Sequence, residues 1–290
     1  MGMLDGKVAL VTGAGGGLGR THALLLAQEG AAIVVNDLGG ARDGTGAGHN
    51  MADQVVAEII EAGGQAVADY GSVADPDAAR AMVQTAVDSF GKLDICICNA
   101  GILRDKSFKN MTDDMWDVVV DVHLRGTYLS SKAAYDQMLE QGHGGRIIMT
   151  SSTSGLLGNF GQTNYGAAKA GIAGLMRCLY LEGVKYGVTV NVLAPTATSR
   201  LTEDILPEEM QDSFPPDKVS PPVVWLCTDE AKDVTGRQFL VAGNRVSLLS
   251  WQLTPLATKE DDEGPWDVEA VGEAILSTKD SWPPINPMRG

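Results

Sequence analysis

The sequence of 290 residues contains little positive charge and no long apolar run. Its 22 lysines and arginines stand against 37 acidic residues, which gives a net charge of −15. A surface this acidic repels phosphate backbones, so nucleic acid is not an expected partner. No stretch reaches the ~18 consecutive apolar residues that a membrane-spanning helix needs, and residues 1–11 lack the basic and apolar regions of a secretion signal. We expect neither membrane insertion nor export.

Cysteine and histidine are also scarce. The four cysteines, at positions 96, 98, 178 and 227, form no C-x-x-C pair, and with the four histidines they form no cluster at zinc spacing. We predict no metal site and a reducing compartment. The chain ends in Pro-Met-Arg-Gly, which differs from a peroxisomal S-K-L address, so we expect a cytoplasmic location.

Short apolar runs alternate with amphipathic stretches along most of the chain. The apolar runs predict strands at Lys7–Thr12, Ala31–Asp37, Gln65–Tyr70, Leu93–Cys98, Arg146–Ser151, Val188–Ala194 and Gln238–Val241. The stretches between them predict helices near 18–29, 50–62, 76–90, 113–140, 163–186 and 217–229. Strands that are apolar throughout and separated by helices require a parallel sheet covered on both faces. We therefore predict an α/β fold with a doubly wound parallel sheet of the Rossmann type.

Three segments depart from this alternation. Gly39–Asn50 carries five glycines and is longer than most strand-to-helix loops, which predicts an ordered functional loop or a mobile flap. Ser199–Pro216 mixes apolar and acidic residues after the sixth strand, as a substrate lid does. Residues 246–290 hold three of the five tryptophans and much of the proline. We predict one domain over residues 1–245 and an extension over 246–290 that is partly docked on the domain or on a neighbouring subunit.

A glycine-rich turn lies between the first predicted strand and the first predicted helix. Residues 12–19 read TGAGGGLG, which fits T-G-x-x-x-G-x-G rather than G-x-G-x-x-G. Glycines let the backbone approach a pyrophosphate, whose charge the helix N-terminus then stabilises. This context favours a dinucleotide site over an ordinary turn.

An acidic residue, Asp37, ends the second predicted strand 18 residues after Gly19. An acid at about this distance binds the hydroxyls of the adenosine ribose. Its charge would repel a 2′-phosphate, so the sequence favours NAD over NADP. Arg42 in the glycine-rich insert is the residue that could reverse this preference, and a solvated acid at the strand end is the alternative interpretation of Asp37.

Two Tyr-x-x-x-Lys pairs occur on predicted helices, Tyr128 with Lys132 and Tyr165 with Lys169. One helical turn separates the members of each pair, so the spacing alone is weak evidence. Ser152, at the end of the fifth strand where such sheets bind ligands, distinguishes the second pair. A tyrosine can donate the proton to a ketone that receives a hydride, a nearby ammonium would lower its pKa, and a serine hydroxyl would orient the substrate oxygen. We predict that Ser152, Tyr165 and Lys169 are catalytic.

These motifs, with Asn99-Ala100-Gly101 after the fourth strand and Pro195 after the sixth, resemble the short-chain dehydrogenase/reductase family over about residues 5–243. Within it, the segments VVNDLGG, NAGILRD, VHLRG and RIIMTSSTSGLLGNFGQTNYGAAK resemble the (3R)-hydroxyacyl-CoA dehydrogenase module of the multifunctional peroxisomal enzymes. The resemblance implies cofactor contacts at Thr12, Gly13, Gly15, Gly17, Leu18, Gly19, Asp37, Ser72, Val73, Asn99, Ala100, Gly101, Tyr165, Lys169 and Pro195.

Some positions depart from the family pattern. Cys98 and Thr196 replace an asparagine and a glycine, and His123 stands where an asparagine commonly supports a proton-relay water. His123 fits the hydroxyacyl-CoA relatives, so both a relay role and a structural role stay open for it. Arg104, Lys106, Lys109 and Arg200 could contact the phosphates of coenzyme A or be solvated surface charges.

The resemblance implies hydride transfer between NAD(H) and a 3-hydroxyacyl-CoA, a 3-ketoacyl-CoA or a similar secondary alcohol. A hydroxysteroid or steroid side-chain thioester dehydrogenase is the first alternative, and a non-enzymatic NAD-binding sensor or scaffold is the second. The family also implies a homodimer or homotetramer formed through the helices at 113–140 and 163–186.

Overall fold

A mixed sheet forms the core of the larger of two compact units. The computed structural model describes residues 2–197, 214–260 and 263–283, and this sheet has eight strands within them. The strands are β1 (Val8–Thr12), β2 (Ala32–Asn36), β3 (Gln65–Asp69), β4 (Ile95–Cys98), β5 (Gly145–Thr150), β6 (Val188–Thr196), β7 (Gln238–Ala242) and β8 (Arg245–Leu249). They lie in the order β3-β2-β1-β4-β5-β6-β7-β8. The order reverses between β1 and β4, where a doubly wound sheet forms its ligand crevice.

The first seven strands are parallel, as the sequence predicts, whereas β8 is an antiparallel strand that the sequence analysis missed. A two-residue turn at 243–244 joins β7 to β8, and Ala242 pairs with Arg245. Gly243 has a φ of 55°, which suits the tight turn of a hairpin. The sheet therefore continues beyond residue 245, and the compact unit that contains it runs from Met1 to Leu249.

Helices cover both faces of the sheet. They are α1 (Gly17–Gln28), α2 (Asn50–Glu61), α3 (Pro76–Phe90), α4 (Asp113–Val120), α5 (Gly126–Gln141), α6 (Thr153–Leu157), α7 (Thr163–Gly183) and α8 (Ser220–Leu226). The helix expected at 113–140 is interrupted by a π-helical turn at Asp121–Arg125, and the short α6 was not predicted. The helix predicted near 217–229 is α-helical only over Ser220–Leu226 and follows a 3-10 turn at Pro216–Val219, whereas the remaining predicted helices lie close to their expected bounds.

The strands alternate their side chains between two apolar layers. In β1, Ala9 and Val11 pack into one layer, while Val8 and Leu10 pack into the other. Cys96 and Cys98 both lie in the second layer, as their spacing predicted. Because both faces are covered, the backbone ends of the strands are the place where a ligand can reach the sheet.

The C-terminal unit, residues 250–290, is described by itself. It contains α9 (Val268–Ser277), which begins where the Asp267 carboxylate accepts a hydrogen bond from the backbone N–H of Ala270 at 2.8 Å. Docking of the extension stays a prediction. Across both units, the described residues include no helix that is long and apolar enough to cross a membrane.

Candidate active site

The glycine-rich turn after β1 lines a cavity at the carboxyl edge of the sheet. Gly13 and Gly17 have φ values of 64° and 50°, a region that favours glycine. No side chain from the described part of the chain caps the N-terminus of α1, and its first turn has no acidic residue. The N–H groups at this helix end are therefore suited to an anionic group such as a pyrophosphate.

Most of the expected cofactor residues line this first cavity. The members on that list are Gly13, Gly17, Leu18, Asp37, Ser72, Val73, Asn99, Ala100 and Gly101. The structure adds residues that sequence reasoning missed, among them Asn36, Leu38, Ala41, Ile102 and Val122. They come from strand ends and loops that are distant along the chain, so no local pattern marks them.

Thr12, Gly15 and Gly19 do not line the cavity but shape its wall. The Thr12 hydroxyl accepts hydrogen bonds from the backbone N–H groups of Asn99 and Ala100 at 3.0 and 3.1 Å. A Cβ at Gly15 would lie 2.8 Å from the Asp37 carboxyl, and one at Gly19 would lie 2.1 Å from the Gly13 carbonyl oxygen. Glycine is therefore required for close packing at these two positions.

Asp37 lies in the loop directly after β2 and points its carboxylate towards the glycine-rich turn. Its two oxygens accept hydrogen bonds from the backbone N–H groups of Gly15 at 2.8 Å and Gly39 at 2.7 Å. Arg42 lines the same cavity. The site thus holds both the acid that disfavours a 2′-phosphate and the cation that could attract one.

The glycine-rich insert is hydrogen-bonded to the neighbouring strand connection. The Arg42 carbonyl accepts the N–H of Leu103 at 3.1 Å, and Arg104 donates from Nε to the Asp43 carbonyl at 2.7 Å. The insert therefore contacts the loop after β4, and its role as an ordered functional loop or a mobile flap stays a prediction. Arg104, one of the cations considered for the phosphates of coenzyme A, is hydrogen-bonded to this insert.

A second cavity adjoins the first, and Leu18, Asn99 and Gly101 line both. All three predicted catalytic residues line the second cavity, as does Pro195. Ser152 precedes α6, and its hydroxyl accepts the N–H of Ser154 at 3.1 Å. The structure brings these residues together at one cavity, and their catalytic roles stay a prediction.

Tyr165 and Lys169 meet on α7, as their spacing predicted. The Lys169 Nζ lies 5.5 Å from the centre of the Tyr165 ring and donates to the Thr150 carbonyl at 2.6 Å. Only 3% of Lys169 is exposed. The end of β5 therefore holds the ammonium beside the ring, a contact that the sequence did not reveal.

The expected effect of Lys169 on the pKa of Tyr165 needs correction. Burial raises the pKa of Tyr165 to about 12, although the hydrogen bond with Ser152 acts to lower it. Burial also lowers the pKa of Lys169 to about 7. In this structure desolvation dominates both groups, so the phenol is held in its protonated form at neutral pH.

His123 lies in the π-helical turn, lines the second cavity and contacts the edge of Tyr165, with 5.0 Å between ring centres. Its Nε2 is 2.7 Å from the Ile102 carbonyl oxygen, and its Nδ1 has no partner within the described residues. Burial and the nearby charge of Lys169 hold its pKa well below its usual range. His123 is neutral here, and its part in a proton relay stays a prediction.

Two residues that the sequence analysis missed extend this cluster. Gln162 lines the second cavity and donates from Nε2 to the Asp105 carboxylate at 2.6 Å. Partial desolvation raises the pKa of Asp105, while Gln162 and the charge of Arg42 lower it. Gln162 and Asp105 are 57 positions apart, so no local pattern relates them. The only sequence signal for a place in the site is that Gln162 lies three residues before Tyr165.

The remaining predicted elements lie outside the cavities or outside the described residues. Lys106 and Lys109 are exposed and line neither cavity. Arg200 and almost all of the expected lid at Ser199–Pro216 fall within residues 198–213, which are not among the described residues.

Comparisons with known proteins agree with this geometry. The profile of the short chain dehydrogenase family matches residues 7–209. The chain is 47% identical over 281 residues to peroxisomal multifunctional enzyme type 2 of Mus musculus, an alignment that covers 97% of this chain and 37% of that protein. It is 40% identical over 260 residues to hydroxyacyl-CoA dehydrogenase ChsB1 of Mycobacterium tuberculosis, covering 85% of this chain and 80% of that one.

A crystal structure of a short chain dehydrogenase from Mycobacterium avium has the same fold. It matches with a TM-score of 0.85 at 43% identity and covers 98% of each chain. The predicted Rossmann-type fold and the family resemblance are both confirmed.

Proposed function

The chain belongs to the short chain dehydrogenase family and is an oxidoreductase, and on that premise we propose that it transfers a hydride between NAD(H) and C3 of a 3-hydroxyacyl-CoA or 3-ketoacyl-CoA. The observation that carries this proposal is the joined pair of cavities. One is lined by glycines and Asp37, and the other by Ser152, Tyr165 and Lys169. The name of one relative, a hydroxyacyl-CoA dehydrogenase, supports the substrate class.

The first cavity fits a dinucleotide. The uncapped end of α1 would hold the pyrophosphate, and Asp37 would bind the adenosine ribose. When bound, the reduced cofactor supplies the hydride. We favour NAD because the Asp37 carboxylate would lie against a 2′-phosphate.

The second cavity supplies the proton chemistry. In ketone reduction, the Ser152 hydroxyl binds the substrate oxygen, and Tyr165 donates its proton to that oxygen as negative charge develops there. The phenol is protonated at neutral pH, and its raised pKa makes it a weaker acid than an unperturbed tyrosine. In alcohol oxidation Tyr165 must first lose its proton, and the hydrogen bond with Ser152 favours the phenolate.

A substrate panel tests the proposal. Purified protein is assayed with acyl-CoA alcohols, steroid alcohols and the matching ketones, with NAD and NADP in parallel, by nicotinamide absorbance. We expect turnover of the 3-hydroxyacyl thioesters with NAD. Preference for steroids would favour the first alternative, and cofactor binding without turnover of any substrate would favour a sensor or scaffold.

A substitution tests the choice of cofactor. Asp37→Ser should lower the preference for NAD over NADP by at least ~10-fold, because it removes a charge that faces the 2′ position. Asp53→Asn on α2, outside both cavities, is the control. An unchanged preference in Asp37→Ser would show that another residue, such as Arg42, sets the selectivity. The cytoplasmic location and the homodimer or homotetramer stay predictions, to be tested by fractionation and light scattering.

A further inference from the structure

Gln162 lies immediately before α7 and is only 5% exposed, yet it lines the second cavity. Its side chain does not cap the helix. The amide of Gln162 therefore forms its hydrogen bonds with side chains rather than with the backbone of α7.

Neighbouring side chains fix the orientation of the Gln162 amide. Its Nε2 faces the Asp105 carboxylate at 2.6 Å, and an ionised carboxylate only accepts hydrogen bonds. Its Oε1 accepts from the Ser154 hydroxyl at 2.7 Å and from Asn159 Nδ2 at 3.1 Å. Both lone pairs of the oxygen are therefore used.

The nitrogen of this amide has a hydrogen left over. An amide NH₂ carries two donors, and Asp105 accepts one. No acceptor for the second is present among the described residues that contact Gln162. An unpaired donor in a nearly buried position costs stability, so a ligand that accepts it would be bound preferentially.

Ser154 also connects the side-chain amide of Gln162 to the hydroxyl of Ser152. Ser154 donates its backbone N–H to the Ser152 hydroxyl at 3.1 Å and its own hydroxyl to Gln162 at 2.7 Å. One residue therefore links the serine that binds the substrate oxygen to the amide with the spare donor.

We infer that Gln162 is a specificity-determining residue whose spare amide hydrogen binds the thioester carbonyl of the substrate. This inference rests on the proposed function. In a 3-oxoacyl or 3-hydroxyacyl thioester the C1 and C3 oxygens are in a 1,3 relation, so when Ser152 and Tyr165 bind the C3 oxygen the C1 oxygen lies in the same cavity. A plain ketone has no such second acceptor. Asp105 acts through Gln162 as a positioning residue.

The test compares a thioester with a ketone that lacks the second carbonyl. Gln162→Met keeps the size of the side chain and removes the donor. Its kcat/KM for 3-oxobutanoyl-CoA should fall by about 10- to 100-fold, because a site built to hydrogen-bond a carbonyl loses that bond. The kcat/KM for 2-heptanone should change by less than about threefold.

Two further variants separate specificity from folding. Gln84→Met breaks a comparable Gln–Asp hydrogen bond of 2.7 Å on the exposed surface of α3 and should leave the ratio of the two substrates unchanged. Asp105→Ala frees the amide while keeping Gln162, and should lower the thioester preference by a smaller factor in the same direction. The Asp105→Ala variant tests the inference if Gln162→Met does not fold.

Three results would overturn the inference. Equal losses of kcat/KM with both substrates would indicate a merely structural role for Gln162. An undiminished preference for the thioester in both Gln162→Met and Asp105→Ala would show that the amide does not bind the thioester carbonyl. If instead the unsubstituted enzyme reduces the plain ketone as well as the thioester, the proposed substrate class fails first, and the inference falls with it.

Discussion

The two Tyr-x-x-x-Lys pairs have the same spacing and opposite surroundings. On α5, Tyr128 is 47% exposed, and Lys132 forms an ion pair with Asp136 in solvent. On α7, Lys169 is almost fully buried and bonded to the end of β5, while Tyr165 contacts Ser152 and His123. Helical spacing brings each tyrosine near its lysine, but only the strand ends around α7 create a site for chemistry.

This difference can be stated in terms of charge. An exposed ion pair gains little because water screens it, whereas burial penalises the charged form of each group. The pKa values of Tyr165 and Lys169 therefore move apart, to about 12 and about 7. A proton can then be held at Tyr165 until a substrate oxygen accepts it.

The largest expected effect comes from removing the phenol at one pair and then at the other. Tyr165→Phe should lower kcat by at least ~10²-fold, the usual contribution of a general acid or base. Tyr128→Phe should leave kcat within about twofold, because Tyr128 lines neither cavity. Steady-state kinetics with both variants checks this. Equal losses at the two positions would remove the distinction between the pairs.

Substitution of the two lysines should change turnover by almost as different amounts. Lys169→Met should lower kcat/KM on the order of 10²-fold, because it removes the amino group beside the Tyr165 ring and the hydrogen bond that joins it to the end of β5. Lys132→Met should have no measurable effect on turnover. Full activity in Lys169→Met would assign the activation of Tyr165 to other groups.

The pH dependence should sharpen the comparison. Because burial raises the pKa of Tyr165, only a small fraction is ionised at neutral pH, and this fraction grows about tenfold per pH unit below the pKa. The kcat/KM for alcohol oxidation should therefore rise with pH between about 7 and 10. Tyr165→Phe should show a much flatter residual profile, whereas Tyr128→Phe should keep the slope. A flat profile in the unsubstituted enzyme would argue against Tyr165 as the base.

The smallest expected effect is on stability. Burial lowers the pKa of Lys169 from 10.5 to about 7, so between these values the unfolded state binds the proton more tightly and the unfolding free energy rises with pH. Lys169→Met should be more stable than the unsubstituted protein at pH 7 by at least about 1 kcal/mol, and the gain should shrink towards pH 10. Lys132→Met should shift stability by less than about 0.5 kcal/mol. Denaturant unfolding at both pH values would decide; a Lys169→Met protein with no gain would show that the Thr150 contact compensates for burial.

Local patterns were sufficient for the parallel strands and the main helices. The uninterrupted apolar run from Val8 to Val11 predicts a strand covered on both faces, and the glycines after it predict the turn into α1. The strand β8 was missed because Arg245–Leu249 follows the last predicted strand without a helix and resembles the start of the extension. The π-helical turn at His123 was missed because its apolar pattern continues that of α4.

The site was predicted where residues act close together along the chain and missed where they meet through the fold. Tyr165 and Lys169 share a helix, and Ser152 lies at the end of a predicted strand. Asp105, which binds Gln162, comes from a different strand connection, so no periodicity relates them. The sign of the Tyr165 pKa shift was also beyond the sequence, because it depends on burial in the folded chain.

Transfer of a labelled hydride tests the central claim most directly. The unsubstituted protein and the Tyr128→Phe and Tyr165→Phe variants are each incubated with 3-oxobutanoyl-CoA and NADH deuterated at both C4 positions, and the product is analysed by mass spectrometry. The first two proteins should place deuterium at C3 of the product at similar rates, and Tyr165→Phe should do so at least ~10²-fold more slowly. Equal rates in all three proteins, or a product without deuterium, would contradict the claim that α7 carries a hydride-transfer site.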